Sequence, residues 1–433
     1  MGTEKQLEEL GIQIPDILLP EKSTDLRKWA VVACDQYTSE PDYWKRVEKF
    51  VGDAASTLHL IYPEVYLQEK DKEERIKRIN REMDRYLREG IFRVLENSFI
   101  YVKRELPGGK IRKGLMLALA LERKTKKKGS ESLIRATEGT ILDRLPPRIE
   151  IRKNAPIELP HIMVLIDDKS DILFSLLEKE CGSTSECYST ELMEGGGNVT
   201  GYQVTGEQVF SDVAGVFGSL LKEAENRTGA NPLLFAMGDG NHSFATAKAI
   251  WEETKKQTGN MQHPARWALV EIVNIYDEGL LFEPIHRLAM EMDLANLREA
   301  AAREKNVKLE ETTSFAEALK QVSGEEEHRV AVASGDFTGV LHFGNPEYSL
   351  ATASLDAFLE SCMSVGSEVD YIHGAETARD LARKAGRIAL ILPDFEKEQL
   401  FPTVINDGAL PRKTFSMGEA REKRYYLEAR KIT

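Results

Sequence analysis

An α/β fold with mixed sheets and strand-turn-helix units is what this sequence predicts, on three observations. Apolar runs of strand length, at 29–34, 162–166, 233–237 and 267–275, alternate with stretches whose apolar residues recur at helical spacing. Acidic or glycine-rich turns follow several of those runs, at the strand ends where α/β folds bind ligands. No run approaches the ~20 apolar residues of a membrane-spanning helix.

The sharpest of these units is 233–257. Leu233 to Met237 reads as a buried strand, and Gly238-Asp239-Gly240 as a turn whose glycines reach backbone angles other residues avoid. Ser243 is the expected N-cap of a helix to about residue 257, with Phe244, Ala247, Ile250 and Trp251 on one face. Such a unit aims backbone N–H groups and a positive dipole end at one point, which suits a phosphate. Asp239, Asn241 and His242 crowd the same turn with a carboxylate, an amide and a group titrating near neutrality. The competing reading is a tight turn with a hydrogen-bonded histidine. The polar density of 238–243 has little packing use and favours a site.

At 433 residues, 30% charged and 42% apolar, the chain has ordinary globular composition and is long for one core. The expected division is an N-terminal α/β region at 1–230, a core carrying the glycine motif at 231–292 and 345–433, and a small α+β insertion at 293–344. A net charge of −13 argues against a nucleic-acid partner, and the basic run 123–128 reads as a solvated loop. Cysteines at 34, 181, 187 and 362 form no paired C-x-x-C motif, which points to a reducing, cytoplasmic setting. The first residues lack a signal peptide's basic start and apolar run.

In chain order, 29–34 reads as a strand with Asp35 and Gln36 at its exit. A helix follows, with Ser39 as N-cap and Pro41 in its first turn. A charged helix spans about 70–95, and 98–105 with 111–121 form a hairpin. Glu138, with Arg135, Arg144 and Arg148 nearby, is either a carboxylate in an anion-binding cluster or part of a solvated loop. Strand 162–166 follows His161 and ends in Asp167-Asp168, read as a cap for a helix at 172–179. Residues 195–198 join two strands, and 207–226 is a helix. Strands 267–275 and 280–282 are expected to pair around 276–279, leaving His286 and Arg287 at a strand exit. Beyond the 294–344 insertion come a helix at 355–363, a strand at 369–374 with His373 at its polar exit, and a strand at 387–392. In the tail, Lys413 and Thr414 suit phosphate contacts. The familiar P-loop, dinucleotide and zinc-protease motifs are absent.

Four ordered motifs now carry a resemblance: 33–39 (ACDQYTS), 238–243 (GDGNHS), 369–374 (VDYIHG) and 411–416 (PRKTFS). Together they resemble the bacterial and archaeal family catalogued as domain of unknown function 1015. That family's central Asp-Gly-His-His-Arg motif is similar to one in ParB-like, sulfiredoxin and free serine kinase proteins, where it opens a helix and holds nucleotide phosphates. The resemblance implies a ParB/sulfiredoxin-like core, with Asp239, Gly240 and His242 lining a phosphate site. It matches Arg135, Glu138 and Thr140 to a family Arg-x-x-Glu-x-Thr motif, and Pro411, Lys413 and Thr414 to Pro-x-Lys-[Ser/Thr]. The sequence departs from the pattern at Asn241 and at Ser243, which stands where an arginine would clamp phosphate. Lys413, Arg144 or Arg287 would have to replace it.

The resulting expectation is a cytoplasmic phosphotransferase of the free serine kinase type. It would move a phosphoryl group between ATP or ADP, with Mg2+, and a small hydroxylated metabolite, a serine-like molecule being one candidate. Glu138 or Asp239 would act as base beside His242. Gly240, Asn241, Ser243, Arg144, Arg287, Lys413 and Thr414 would hold phosphates, and Asp35, Gln36, His286 and His373 would complete the pocket. The alternative is a regulator that binds a nucleotide or metabolite without turnover.

Overall fold

The computed structural model describes residues 2–125, 132–139, 145–181, 186–229, 231–363 and 368–433. Their fold is mixed α/β. The chain divides into two compact units, the first running to Leu280 and resuming at Glu419–Thr433, the second comprising Leu281–Gly418. These breaks fall at other positions than the expected 230, 292 and 345.

The first unit is built on one long mixed sheet. Its strand order is Glu186–Leu192, Gly197–Val204, Phe99–Glu105, Ile111–Ala120, Trp267–Asn274, Met163–Ile166, Phe235–Asp239, Ile134–Ala136 and Lys124–Thr125. Ile111–Ala120 shows why both faces are covered. Leu115, Leu117 and Leu119 join one core cluster, while Met116 joins another on the opposite face, the period of two that a pleated strand imposes. Helices Ile172–Cys181, Glu207–Thr228 and Asn241–Thr258 supply the first cluster through Phe174, Phe217 and Trp251.

Three strand ends meet where the site will be. Phe235–Asp239 runs antiparallel to Met163–Ile166, with Asp239 opposite Met163. It runs parallel to Ile134–Ala136, with Met237 opposite Ala136. That pairing ends there, with a bend at Thr137, whose Oγ1 donates to the Met237 carbonyl at 2.5 Å.

Several local expectations need correction. Ser243 is not the N-cap: the helix begins at Asn241 behind Gly240, whose φ of 76° makes the turn without a side-chain cap. A Cβ on Gly240 would lie 2.9 Å from the Ile162 Cα, so close approach as well as positive φ selects glycine there. The helix Pro41–Val51 is capped by Glu40, not Ser39. The expected strand 29–34 shrinks to Val31–Val32 after the short helix Leu26–Trp29. Trp267–Asn274 and Phe282–Met290 do not pair but belong to separate sheets. The turn between them is fixed in the first unit by Asp277, which accepts from Lys113 and Gly279 backbone N–H groups. Asp168 does cap its helix, accepting from Leu173 N at 2.9 Å.

The second unit has its own sheet, in the order Val307–Glu311, Phe337–Phe343, His328–Ser334, Arg387–Ile391, Phe282–Met290 and Val369–His373. The stretch read as an insertion at 293–344 therefore supplies three strands of that seven-stranded sheet. His286 and Arg287 lie inside Phe282–Met290, not at its exit. His286 is 4% exposed, and its Nδ1 accepts from Leu392 N at 3.2 Å, which requires a neutral ring. Burial first, then Arg287 and His373, pushes its pKa down to about 4. A depressed histidine adds stability above its unfolded pKa of about 6.5 and loses it as pH falls towards 4. Melting of this unit should therefore drop across that window, by at most about 3 kcal/mol. The drop should shrink in His286→Phe. An identical pH profile in that variant would assign the effect elsewhere.

Candidate functional site

The motif turn in the first unit sits at a junction of four segments. The first turn of Asn241–Thr258 points its backbone N–H groups back past Gly240, as every helix start does. Asp239, on the last residue of its strand, accepts from Gly240 N at 2.8 Å and pairs with Lys423 at 3.0 Å. Burial works to raise the Asp239 carboxyl, but Lys423 and the Gly240 amide hold it below the usual carboxylate range. It is an anionic anchor for a cation the sequence reading missed.

His161 is the hub. Its Nε2 is 2.7 Å from Ser243 Oγ and 3.8 Å from Asp35 Oδ2, and its Nδ1 is 2.7 Å from the Tyr426 hydroxyl. Tyr426 also accepts from Cys34 N at 3.1 Å. Burial pushes the Tyr426 phenol well above its ordinary range, so it keeps its proton. With the Cys34 amide donating to its oxygen, we assign the Tyr426 proton to His161 Nδ1. Nε2 then carries the ring's N–H and donates to Ser243, whose own proton is left to donate onward. The result is a directed chain, Cys34 N–H to Tyr426 to His161 to Ser243, in which each bond polarises the next. It ends in the first turn of the helix.

A cavity of about 130 Å³ opens behind Ser243, lined also by Thr246, His161, Tyr426, Glu64 and Arg148. Glu64 pairs with Arg148. Burial raises the Glu64 carboxyl, and Arg148 only partly offsets it. Burial likewise pushes the Cys34 thiol well above its ordinary range, so it is no nucleophile.

The C-terminal segment holds this arrangement together. Arg104 and Arg112 donate to the carbonyls of Arg421 and Glu422, at 3.2 and 3.0 Å. Lys423 then reaches Asp239, and Tyr426 reaches His161. Arg424 donates to Pro160 O at 3.1 Å and to Glu271 at 2.8 Å, and pairs with Glu428.

Of the residues expected in the site, Asp35, Asp239, Gly240, Asn241, His242 and Ser243 lie at this junction in the first unit, and Gln36 donates to Asp35 at 3.0 Å. Glu138 lies two residues past the end of the neighbouring strand Ile134–Ala136. Arg135, by contrast, is buried and donates to the carbonyls of Ser132, Asn231 and Pro232, a backbone clamp. Arg144 and Thr140 lie outside the described residues. His286, Arg287, His373, Lys413 and Thr414 all belong to the second unit. Arg287 spends its guanidinium there, gripping Asp356 at 2.9 Å and the carbonyls of Ile285, Arg412 and Lys413. It shapes the Lys413 turn, where Lys413 has φ 56° and Thr414 Oγ1 donates to Pro411 O at 2.8 Å. His161, Tyr426, Lys423 and Glu64 were missed. The one signal for them was a lone histidine before a strand and an uninterpreted polar tail.

Residues 18–358 match the family described as a protein of unknown function, DUF1015. The chain belongs to that family. No curated protein matches this DUF1015 chain. Among solved structures it is similar to a free serine kinase variant in complex with AMP, at 12% identity and TM-score 0.39, covering 75% of this chain and 93% of that one. It is also similar to a conserved hypothetical protein from Pyrococcus furiosus, at 12% identity and TM-score 0.36, covering 73% and 95%. A third is SbnI with C-terminal truncation from Staphylococcus aureus, at 9% identity and TM-score 0.36, covering 70% and 82%. Among the described residues no helix is long and apolar enough to cross a membrane.

Proposed function

We propose that this DUF1015 protein binds the phosphates of ATP or ADP at the 239–243 turn and transfers a phosphoryl group to a small hydroxylated metabolite. The observation that supports the reading is the hydrogen-bonded series Tyr426, His161, Ser243 ending in the first turn of a helix. Helix start and terminal hydroxyl both offer donors at one place, which is what an anion needs. Lys423, held 3.0 Å from Asp239, supplies the cation that the family pattern puts at position 243. Among the described residues no three His, Cys, Asp or Glu side chains cluster as a metal site. Mg2+ fits only as an ion carried mainly by phosphate oxygens, with Asp239 as its protein carboxylate, a normal pattern for that metal. Bound there, it would neutralise phosphate charge. Because Asp239 is held ionised as an anchor, Glu138 at the adjoining strand end is the better base on the acceptor hydroxyl, with Glu64 at the cavity as second candidate.

One feature favours the alternative of a regulator that binds without turnover. Ser243 lacks the two-pronged grip of an arginine, and weaker phosphate positioning slows transfer more than binding. Calorimetric titration with ADP tests the site itself. His242→Ala is expected to weaken binding about ten-fold or more, the loss of one charge-assisted hydrogen bond, with the fold intact. Equal affinities would make His242 structural. Phosphate transfer from ATP over a panel of small alcohols and hydroxy acids separates enzyme from regulator.

A further inference from the structure

We propose that the cavity behind Ser243 takes a compact, mainly apolar alcohol of about six heavy atoms and rejects zwitterionic amino acids such as serine. It rests on the phosphotransfer reading only for what becomes of the hydroxyl; the binding stands on the cavity itself.

Size comes first. A dry apolar cavity of about 150 Å³ takes a molecule the size of benzene, whereas pockets for whole cofactors run to roughly 300–1,000 Å³. At about 130 Å³ this one has room for a small acceptor.

Wall chemistry narrows the class. Leu60, Ile61, Met83, Ile151, Ala155 and Leu269 make the lining mostly aliphatic. The carboxylates and guanidiniums that reach it are matched to one another. Glu64 pairs with Arg148, and Glu158 pairs with Arg152 at 2.6 Å and with Arg430 at 2.7 Å. A serine ammonium and carboxylate would each be stripped of water against groups already committed, at the heavy penalty of an unpaired buried charge. A neutral molecule meets no such penalty.

One lining group asks for a hydroxyl. Thr246 is 2% exposed, and its Oγ1 has no hydrogen-bond partner among the described residues. Buried hydroxyls are normally satisfied, by the i−4 carbonyl of their own helix if nothing else is near. Thr246 stands three residues after Ser243 on one helix face, and both line the cavity. An alcohol whose oxygen meets Thr246 therefore has that oxygen one helical turn from Ser243. Transfer would then form the bond from the alcohol oxygen to the γ-phosphorus of ATP and break the bond to the leaving ADP. The hydroxyl proton would go to a carboxylate, Glu138 or Glu64.

Ligand-observed NMR titration of the full chain tests this with 3-methyl-1-butanol and cyclopentanol as probes and serine as comparator. Wild type is expected to bind both alcohols saturably and serine not at all. Thr246→Val should bind them several-fold more weakly, yet melt at or above the wild-type temperature because an unsatisfied hydroxyl is gone. Ala155→Phe, which fills the space, should abolish binding. Saturable serine binding that the alcohols displace, no saturable alcohol binding, or unchanged alcohol affinity in Thr246→Val would overturn the proposal. So would a lower melting temperature in that valine variant. Pyrophosphate titration of the same samples separates the two readings. Pyrophosphate binding without alcohol binding sinks the cavity proposal alone, and alcohol binding without pyrophosphate binding sinks the phosphate site alone.

Discussion

Arg424→Ala is expected to destabilise the first unit by about 3–5 kcal/mol, the range seen when one partner of a buried ion pair is removed. Arg424 is 5% exposed, and its acidic partners Glu271 and Glu428 are 1% and 0% exposed. Burial works to raise Glu271, but Arg424 first and Arg112 next hold it below the usual carboxylate range. Tyr188 also donates to Glu428, so the truncated network keeps one neutral partner. Glu271 is confined on its other side too: a Cβ on Gly114 would lie 2.1 Å from its Oε1. Without the guanidinium, the Glu271 carboxyl loses the strongest charge that opposes its burial and is pushed up. An acid with a raised folded pKa is favourable to the fold below its unfolded value, about 4.3, and costs stability as pH rises. Wild type has the opposite sign, losing stability as pH falls through the depressed value. The gap between the two proteins should thus be widest near neutral pH and narrow below about pH 4. Thermal melts from pH 4 to 8 measure it, with a neutral-pH shift on the order of 10 °C. A gap that does not depend on pH would mean that lost packing, not uncompensated charge, sets the cost.

The turn was legible in the sequence because everything that makes it is local. Five strand residues, a glycine forced to positive φ and an amphipathic helix lie within 24 consecutive positions, from Phe235 to Thr258. Even there a propensity rule misled. Serine is a common N-cap, but Gly240 already makes the turn and frees Ser243 to enter the helix and meet His161. The partners of that turn were illegible for the opposite reason. His161 and Tyr426 are 265 positions apart, and Arg424 lies 153 positions from Glu271. Nothing in a stretch such as Glu422-Lys423-Arg424-Tyr425-Tyr426 distinguishes a solvated tail from a segment threaded through the core. Only the carbonyl grips of Arg104 and Arg112, on the central hairpin, decide that. His286 and Arg287 show the reverse error. Polar residues in an apolar neighbourhood were read as chemistry, and one proved a neutral acceptor and the other a clamp on the second unit's own backbone.

His161→Leu is expected to lower ADP or pyrophosphate affinity by about 10- to 100-fold, the largest effect of any single change at the site. The argument is directional. In the assigned tautomer the imidazole accepts from Tyr426 on Nδ1 and donates from Nε2 to Ser243, which leaves the Ser243 hydrogen to point outward. Leucine keeps the bulk and breaks both links. Ser243 is then free to turn its hydroxyl onto a carbonyl of its own helix, the usual resort of a mid-turn serine. The anion loses a pre-aimed donor, and a hydrogen bond to a charged group is worth about 1.5–3 kcal/mol. Tyr426, left with a buried hydroxyl and no acceptor, should lower the melting point modestly, by the equivalent of about 1–3 kcal/mol. Tyr426→Phe separates binding from stability. It removes the proton that fixes the tautomer but leaves the imidazole beside Ser243, so affinity should fall only several-fold. Calorimetric titrations should therefore rank wild type above Tyr426→Phe, and Tyr426→Phe above His161→Leu. A His161→Leu protein that folds and binds pyrophosphate as tightly as wild type would show that the chain does not face the anion, and the 239–243 turn would lose its claim to be a phosphate site.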